Sequence, residues 1–114
     1  MANATMALDA LGDSTRRRVL DLLRADERSV RELTDALDIS QPAVSQHLRV
    51  LREAGLVAAR PVGARRLYRI DHDGLGEVRA WVDSFWDDVL TAFAAHTSVA
   101  ATAREDSPTP KERG

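Results

Sequence analysis

The sequence predicts a mainly α-helical chain with one small β-hairpin, in the order α-α-α-α-β-β-α. Three observations predict it: apolar residues recur at steps of three and four through five segments, a period-two stretch follows residue 55, and capping residues fall between the segments. The 114 residues suit one domain with a modest core, placed here at 1–97, with 98–114 read as a polar, disordered tail.

Taken in order, ATMALDAL at 4–11 puts Ala4, Ala7, Leu8 and Leu11 on one side of a short helix that ends at Gly12. Asp13 or Ser14 can cap a second helix running to about Ala25, with Val19, Leu20, Leu22 and Leu23 as its apolar side. Ser29-Val30-Arg31-Glu32 is a capping box, so a third helix starts at Val30 and buries Val30, Leu33, Ala36 and Leu37. It stops at Asp38-Ile39 because Ser40 is the next N-cap, and Pro42 falls in a first turn, where its missing N–H costs nothing. Two short helices joined by about three residues have helix-turn-helix spacing. The second runs to about Ala54 and Gly55 closes it. Next, LVAAR and RRLYRI read as strands around Pro61-Val62-Gly63-Ala64, with Arg66, Tyr68 and Ile70 on one face and Leu67 and Arg69 on the other. A long amphipathic helix follows from Leu75 to about Thr97.

Composition excludes several classes of function. There is no cysteine, hence no disulfide, thiolate metal site or thiol switch. The N-terminus lacks the cationic start and apolar core of a signal peptide, and no run approaches the ~18 apolar residues of a membrane helix, so a cytoplasmic protein without membrane contact is expected. The net charge of −2 hides an uneven distribution. Residues 40–69 hold six Arg against Glu53 alone, whereas the segments on either side are acidic. A basic middle between acidic flanks fits a local anion-binding surface.

On a wheel of about 100° per residue, Ala43, Val44, His47, Val50, Leu51 and Ala54 share one half of the helix at 40–54, with Leu48 at its border. Gln41, Ser45, Arg49 and Arg52 form a stripe on the other half, flanked by Pro42 and Gln46. Bidentate amides, a small hydroxyl and Arg suit base edges and phosphates in a major groove, where Glu or Asp would repel the phosphates. The same wheel turns His47 inward as a structural imidazole. His72 and His96 lack the spacing of a zinc site, and no nucleophile–base–acid set or Gly-rich phosphate loop gives an enzyme a starting residue. No metal and no cofactor are expected.

The strings LGDSTRRRVLDLL, SVRELTDALDISQPAVSQHLRVLREAGLV and GARRLYRI, in that order and spacing, resemble the ArsR/SmtB-type winged helix-turn-helix repressors over roughly residues 6–93. The resemblance implies a homodimer on a palindromic operator in double-stranded DNA, released by an inducer that the motif does not identify. It implies base contacts from the helix that Ser40 caps, through Gln41, Pro42, Ser45 and Gln46, and phosphate or minor-groove contacts from the wing at Arg65 and Arg66. Arg49 joins this set from the wheel. Metal-sensing members carry Cys-Val-Cys where this chain has Ser29, Val30 and Arg31, so thiolate sensing at that site is ruled out. The chain is instead similar to the cysteine-free, Sdp-type autorepressor branch.

A short recognition helix reads too few bases to find a site alone, so a dimer is required. Val78, Val82, Phe85 and Val89, widened by Trp86, give the last helix an apolar stripe broad enough for a partner helix, with Leu8 and Leu11 of the first helix beside it. Two other readings compete with a DNA-binding regulator: a winged-helix protein-interaction module that has lost DNA binding, and a small enzyme. The exclusion of acids from 40–69 weighs against the first, and the missing catalytic set against the second.

Overall fold

The computed structural model describes residues 3–101, and side chains as far as residue 95. The helices are α1 (Ala4–Leu11), α2 (Ser14–Ala25), α3 (Val30–Leu37), α4 (Gln41–Glu53) and α5 (His72–Ala101), and the strands are β1 (Arg28–Ser29), β2 (Val57–Val62) and β3 (Arg65–Ile70). The chain divides between Trp81 and Val82 into two compact units. The expected tail lies outside the described residues from 102 onward, while α5 continues past the expected end at Thr97.

Each helix of the first unit starts where a side chain satisfies its orphan N–H groups. Asn3 accepts from Met6 N–H, Asp13 from Thr15 and Arg16, and Ser40 from Ala43. The capping box at α3 forms in full: Ser29 Oγ accepts from Glu32 N–H at 3.2 Å, and Glu32 Oε1 accepts from Ser29 N–H at 2.8 Å. These caps place the apolar stripes inward, and Leu33, Leu48, Leu51 and Leu56 are fully buried. Each contributes roughly 1.5–3 kcal/mol by leaving water. Val19, Leu20, Leu23, Leu37, Val44, Ala54, Val57 and Tyr68 join them in the core, with Ala7 and Ala10 letting α1 pack closely. Ala36, expected inside, is exposed, so α3 buries a narrower stripe than its spacing suggests.

The sheet has three strands in the order β1-β3-β2, not the two of a simple hairpin. Arg28 pairs with Tyr68 and Ser29 with Leu67, which ties the cap of α3 to the wing. A two-residue strand has no readable periodicity, and the capping box masks it. β2 and β3 pair from Val57↔Ile70 to Val62↔Arg65, leaving Gly63-Ala64 as a two-residue turn. Gly63 takes φ 62°, the left-handed conformation such a turn requires. Pro61 is tolerated because β2 is an edge strand.

The last helix begins at His72, earlier than the expected Leu75, with Asp71 Oδ1 accepting from Asp73 N–H at 3.0 Å. Two glycines in GLGE lower helix propensity and disguise this turn. Gly74 is there for proximity: its N–H donates to Gly55 O at 2.7 Å, and a Cβ on it would lie 2.6 Å from that oxygen. Leu75 and Val78 pack against the core of the first unit. In the second unit Val82, Phe85, Trp86, Val89, Leu90 and Phe93 are exposed apolar side chains at steps of three and four.

Candidate nucleic-acid interface

The turn between α3 and α4 is made by Asp38, which caps α3 in the left-handed region at φ 58° while its N–H donates to Thr34 O at 3.0 Å. Asp is among the few non-glycine residues that adopt this conformation readily. Ile39 follows, half-buried, and Ser40 starts α4 with Pro42 in the first turn. The helix buries Val44, Leu48 and Leu51 and leaves Gln41, Pro42, Ser45, Gln46, Arg49 and Arg52 exposed, the division the wheel predicts. Arg49 donates to Gln46 Oε1 at 3.0 Å, so the guanidinium orients the amide and leaves the Gln46 NH₂ free to donate outward. The exposed face carries no carboxylate until Glu53 in its last turn.

His47 differs from its expected setting among aliphatic side chains. It is half-buried, and its Nδ1 lies 3.5 Å from the Arg16 guanidinium on α2. Because Arg can only donate, Nδ1 is the accepting atom in this contact. The same Arg16 donates through Nε to Ala10 O at 2.7 Å and stands 3.9 Å from Asp13 Oδ2. One side chain therefore bridges the end of α1, the start of α2 and the middle of α4. Asp13 is held below the usual carboxylate range, chiefly by the Arg16 N–H at the cap.

The wing is anchored at its base and open at its tip. Arg60 makes a forked pair with Glu27, Nη2 to Oε1 at 2.8 Å and Nε to Oε2 at 3.0 Å, which holds the Glu27 carboxyl below its ordinary range. Arg28 donates to Leu22 O at 3.1 Å. Of the basic wing expected over 60–69, Arg60 is thus a structural residue whose charge is matched; the two partners are 33 positions apart, and no local pattern announces them. Arg65 and Arg66 are exposed and, among the described residues, neither guanidinium donates a hydrogen bond or forms an ion pair within 4.0 Å. They meet Gln41 at a cleft of about 470 Å³ that also takes in Arg31 on α3.

The structure thus brings Gln41 of α4 together with Arg65 and Arg66 of the wing, and sets Ser45, Gln46 and Arg49 along the exposed face of α4. Of the residues expected at a dimer contact, Leu8 and Leu11 are half-buried on α1, with Leu11 packed against the core, and Val78 is half-buried against that same core. Val82, Phe85, Trp86 and Val89 are 39–59 % exposed. The described residues hold no group of three or more His, Asp or Glu placed to bind a metal ion, and no described helix is long and apolar enough to cross a membrane.

Comparison with known proteins bears on the family and the fold. The family described as "Bacterial regulatory protein, arsR family" matches residues 13–59, from the cap of α2 into β2. HTH-type transcriptional regulator Rv2034 of Mycobacterium tuberculosis is 47 % identical over 88 residues, covering 77 % of this chain and 82 % of that protein. Transcriptional repressor SdpR of Bacillus subtilis is 29 % identical over 76 residues, covering 67 % of this chain and 84 % of that protein. Among solved structures, the homodimeric winged helix-turn-helix DNA-binding domain (fragment 1–100) Mb0332 of Mycobacterium bovis is 29 % identical with a TM-score of 0.59, covering 84 % of this chain and 81 % of that one.

Proposed function

This chain belongs to the ArsR family of bacterial transcriptional regulators and carries its DNA-binding winged helix, and from that premise we propose that it is a homodimeric, cytoplasmic repressor acting on a palindromic operator. The observation that carries the reading is the exposed face of α4. Gln41, Ser45, Gln46 and Arg49 can pair with base edges in the major groove, and Pro42 supplies an apolar contact for a thymine methyl. Ser40 sits at the same helix start, where its backbone approaches a phosphate. Arg65 and Arg66 reach the backbone from the wing.

The dimer places two such helices in successive major grooves about 34 Å apart. Its contact is built from Val82, Phe85, Trp86 and Val89 of the second unit, and Leu8, Leu11 and Val78 of the first unit are assigned to the same interface. Exposed aromatic and aliphatic side chains in that density are costly in water and favoured at the centre of an interface. The homodimeric relative and the relative named as a repressor support the assembly and the direction of control. In this reading repression acts by occluding the promoter.

The test is a gel shift on the DNA upstream of the protein's own gene, with sedimentation of the wild type and Val82→Arg and a promoter reporter. Wild type should sediment as a dimer, shift the fragment and lower transcription. Val82→Arg should keep its helical spectrum, sediment as a monomer and lose the shift. A monomeric wild type at micromolar concentration would refute the dimer, and a reporter that rises would refute repression.

A further inference from the structure

Several arginines of the described residues are tied to the chain itself. Arg16, Arg17, Arg24, Arg28, Arg49 and Arg60 each donate to a carbonyl, amide or carboxylate oxygen of the chain. Arg18, Arg31, Arg52, Arg65, Arg66 and Arg69 have guanidiniums with no hydrogen bond or ion pair within the described residues, and of these Arg31, Arg65 and Arg66 line one cleft between the start of α3 and the wing tip. Gln41 adds its amide from α4, and no carboxylate lines the cleft. The nearby Glu32 is already engaged by Ser29 N–H. Glu32 interacts electrostatically with Arg65, but one carboxylate against three guanidiniums leaves the cleft with an excess of positive charge, a cost offset when an anion enters.

The fork geometry of guanidinium matches a phosphate or carboxylate, but a lone carboxylate neutralises one Arg, not three. The cleft is large enough for a phosphate with its ester substituents. Its position beside Gln41 also favours an anion presented along with a base edge. We propose that Arg31 completes a three-arginine phosphate site with Arg65 and Arg66, an oxyanion cradle joining α3 to the wing. The inference rests on the DNA-binding reading where the phosphate belongs to the duplex backbone, and stands without it where the phosphate is that of a free ester. Arg31 occupies a position at which the sequence shows only a replaced thiolate, and this gives it a role of its own.

Two arms test the site with the full-length chain. In the first, binding to a 30-base-pair duplex of arbitrary sequence is followed by fluorescence anisotropy against salt. Each phosphate contact contributes about 0.9 to the slope of log affinity on log salt. Arg31→Ala should flatten the slope by about that amount, as should Arg65→Ala, whereas Arg24→Ala, whose guanidinium pairs with Asp21 on α2, should leave it unchanged. In the second arm, inorganic pyrophosphate is titrated without DNA and followed by calorimetry. Saturable millimolar or tighter binding to the wild type, lost in Arg31→Ala, assigns the site to free phosphate esters as well. An unchanged slope in Arg31→Ala together with no Arg31-dependent pyrophosphate binding overturns the proposal. A wild type that binds no duplex refutes the DNA reading alone, and the pyrophosphate arm then decides the cleft. Arg31→Lys should retain part of the slope, since it keeps the charge and loses the fork, and circular dichroism checks that each variant folds.

Discussion

Gly74→Ala should destabilise the protein, although replacing a helical glycine by alanine ordinarily stabilises by up to about 1 kcal/mol. The new Cβ would stand 2.6 Å from Gly55 O, 2.7 Å from Gly55 C and 2.8 Å from Ala54 O. All three are backbone atoms, so no side chain can swing aside. Restoring an ordinary contact of 3.4 Å requires the two backbones to part by about 0.8 Å, which carries the 2.7 Å bond from Gly74 N–H to Gly55 O to the limit of its reach. Overpacking of this kind costs about 1–3 kcal/mol and the hydrogen bond about 0.5–1.5. Against the helical gain, a net loss of roughly 1–3 kcal/mol remains. Gly76→Ala is the internal control, because nothing lies within 4 Å of the methyl group it introduces and only the propensity term acts. It should gain about 0.5–1 kcal/mol. Urea unfolding followed by far-ultraviolet circular dichroism, at one protein concentration because association shifts the midpoint, should separate the two variants by roughly 1.5–4 kcal/mol. A Gly74→Ala midpoint at or above the wild-type value would show that α5 does not start against Gly55 as described.

Two further outcomes follow from the interface and the caps. Arg66→Ala should weaken binding to operator and unrelated DNA alike and flatten the salt dependence by about one unit, whereas Gln46→Ala should leave that slope and reduce discrimination between operator and altered operator by ~1–3 kcal/mol; identical behaviour of the two variants on both substrates would defeat this division of labour. Asp13, Glu27 and Glu32 are held below their ordinary values, first by the Arg16 N–H, the Arg60 guanidinium and the Ser29 N–H respectively. A folded value below the unfolded one means that each contributes stability above the unfolded value of about 4 and loses it as pH falls through the folded one. The urea midpoint should therefore drop as the solution is acidified below about pH 4–5, and an Asp13→Asn, Glu32→Gln variant, which keeps neutral caps, should show a shallower drop; an equal drop would place the acid sensitivity elsewhere.

Local rules make the helices legible and leave the long-range ties hidden. Ser29 with Glu32, Ser40 with Pro42, and Asp13 each act within four residues, so their effect on helix starts can be read directly. The exposed stripe of α4 follows from the 3.6 period and comes out as read. By contrast, β1 exists only because Arg28 and Ser29 meet Tyr68 and Leu67 across the fold. The Glu27–Arg60 pair and the Arg16–His47 contact join residues more than 30 positions apart. Arg31 is invisible as a binding residue for the same reason: its neighbours in the cleft come from the wing, not from its own helix alone. Even Gly74, which local propensity treats as a helix breaker, is understood only once Gly55 is beside it.

Those hidden ties converge on the recognition helix. Its start is set by Ser40, its middle rests on Arg16 through His47, and the turn that closes it, at φ 75° on Gly55, accepts a hydrogen bond from Gly74 at the start of α5. The next residue, Leu56, is fully buried and its carbonyl accepts from Asp71 N–H at 2.9 Å. Two consecutive carbonyls after α4 therefore hold the first turn of α5, in a contact so close that only glycine fits. A packed contact of that kind does not deform gradually, because interiors at crystal-like density transmit strain. Any displacement of the first turn of α5 must move Gly55 and the end of α4 with it or break both hydrogen bonds. Within the first unit, the end of the base-reading helix is thus tied to the start of α5 at Gly55–Gly74 and Leu56–Asp71.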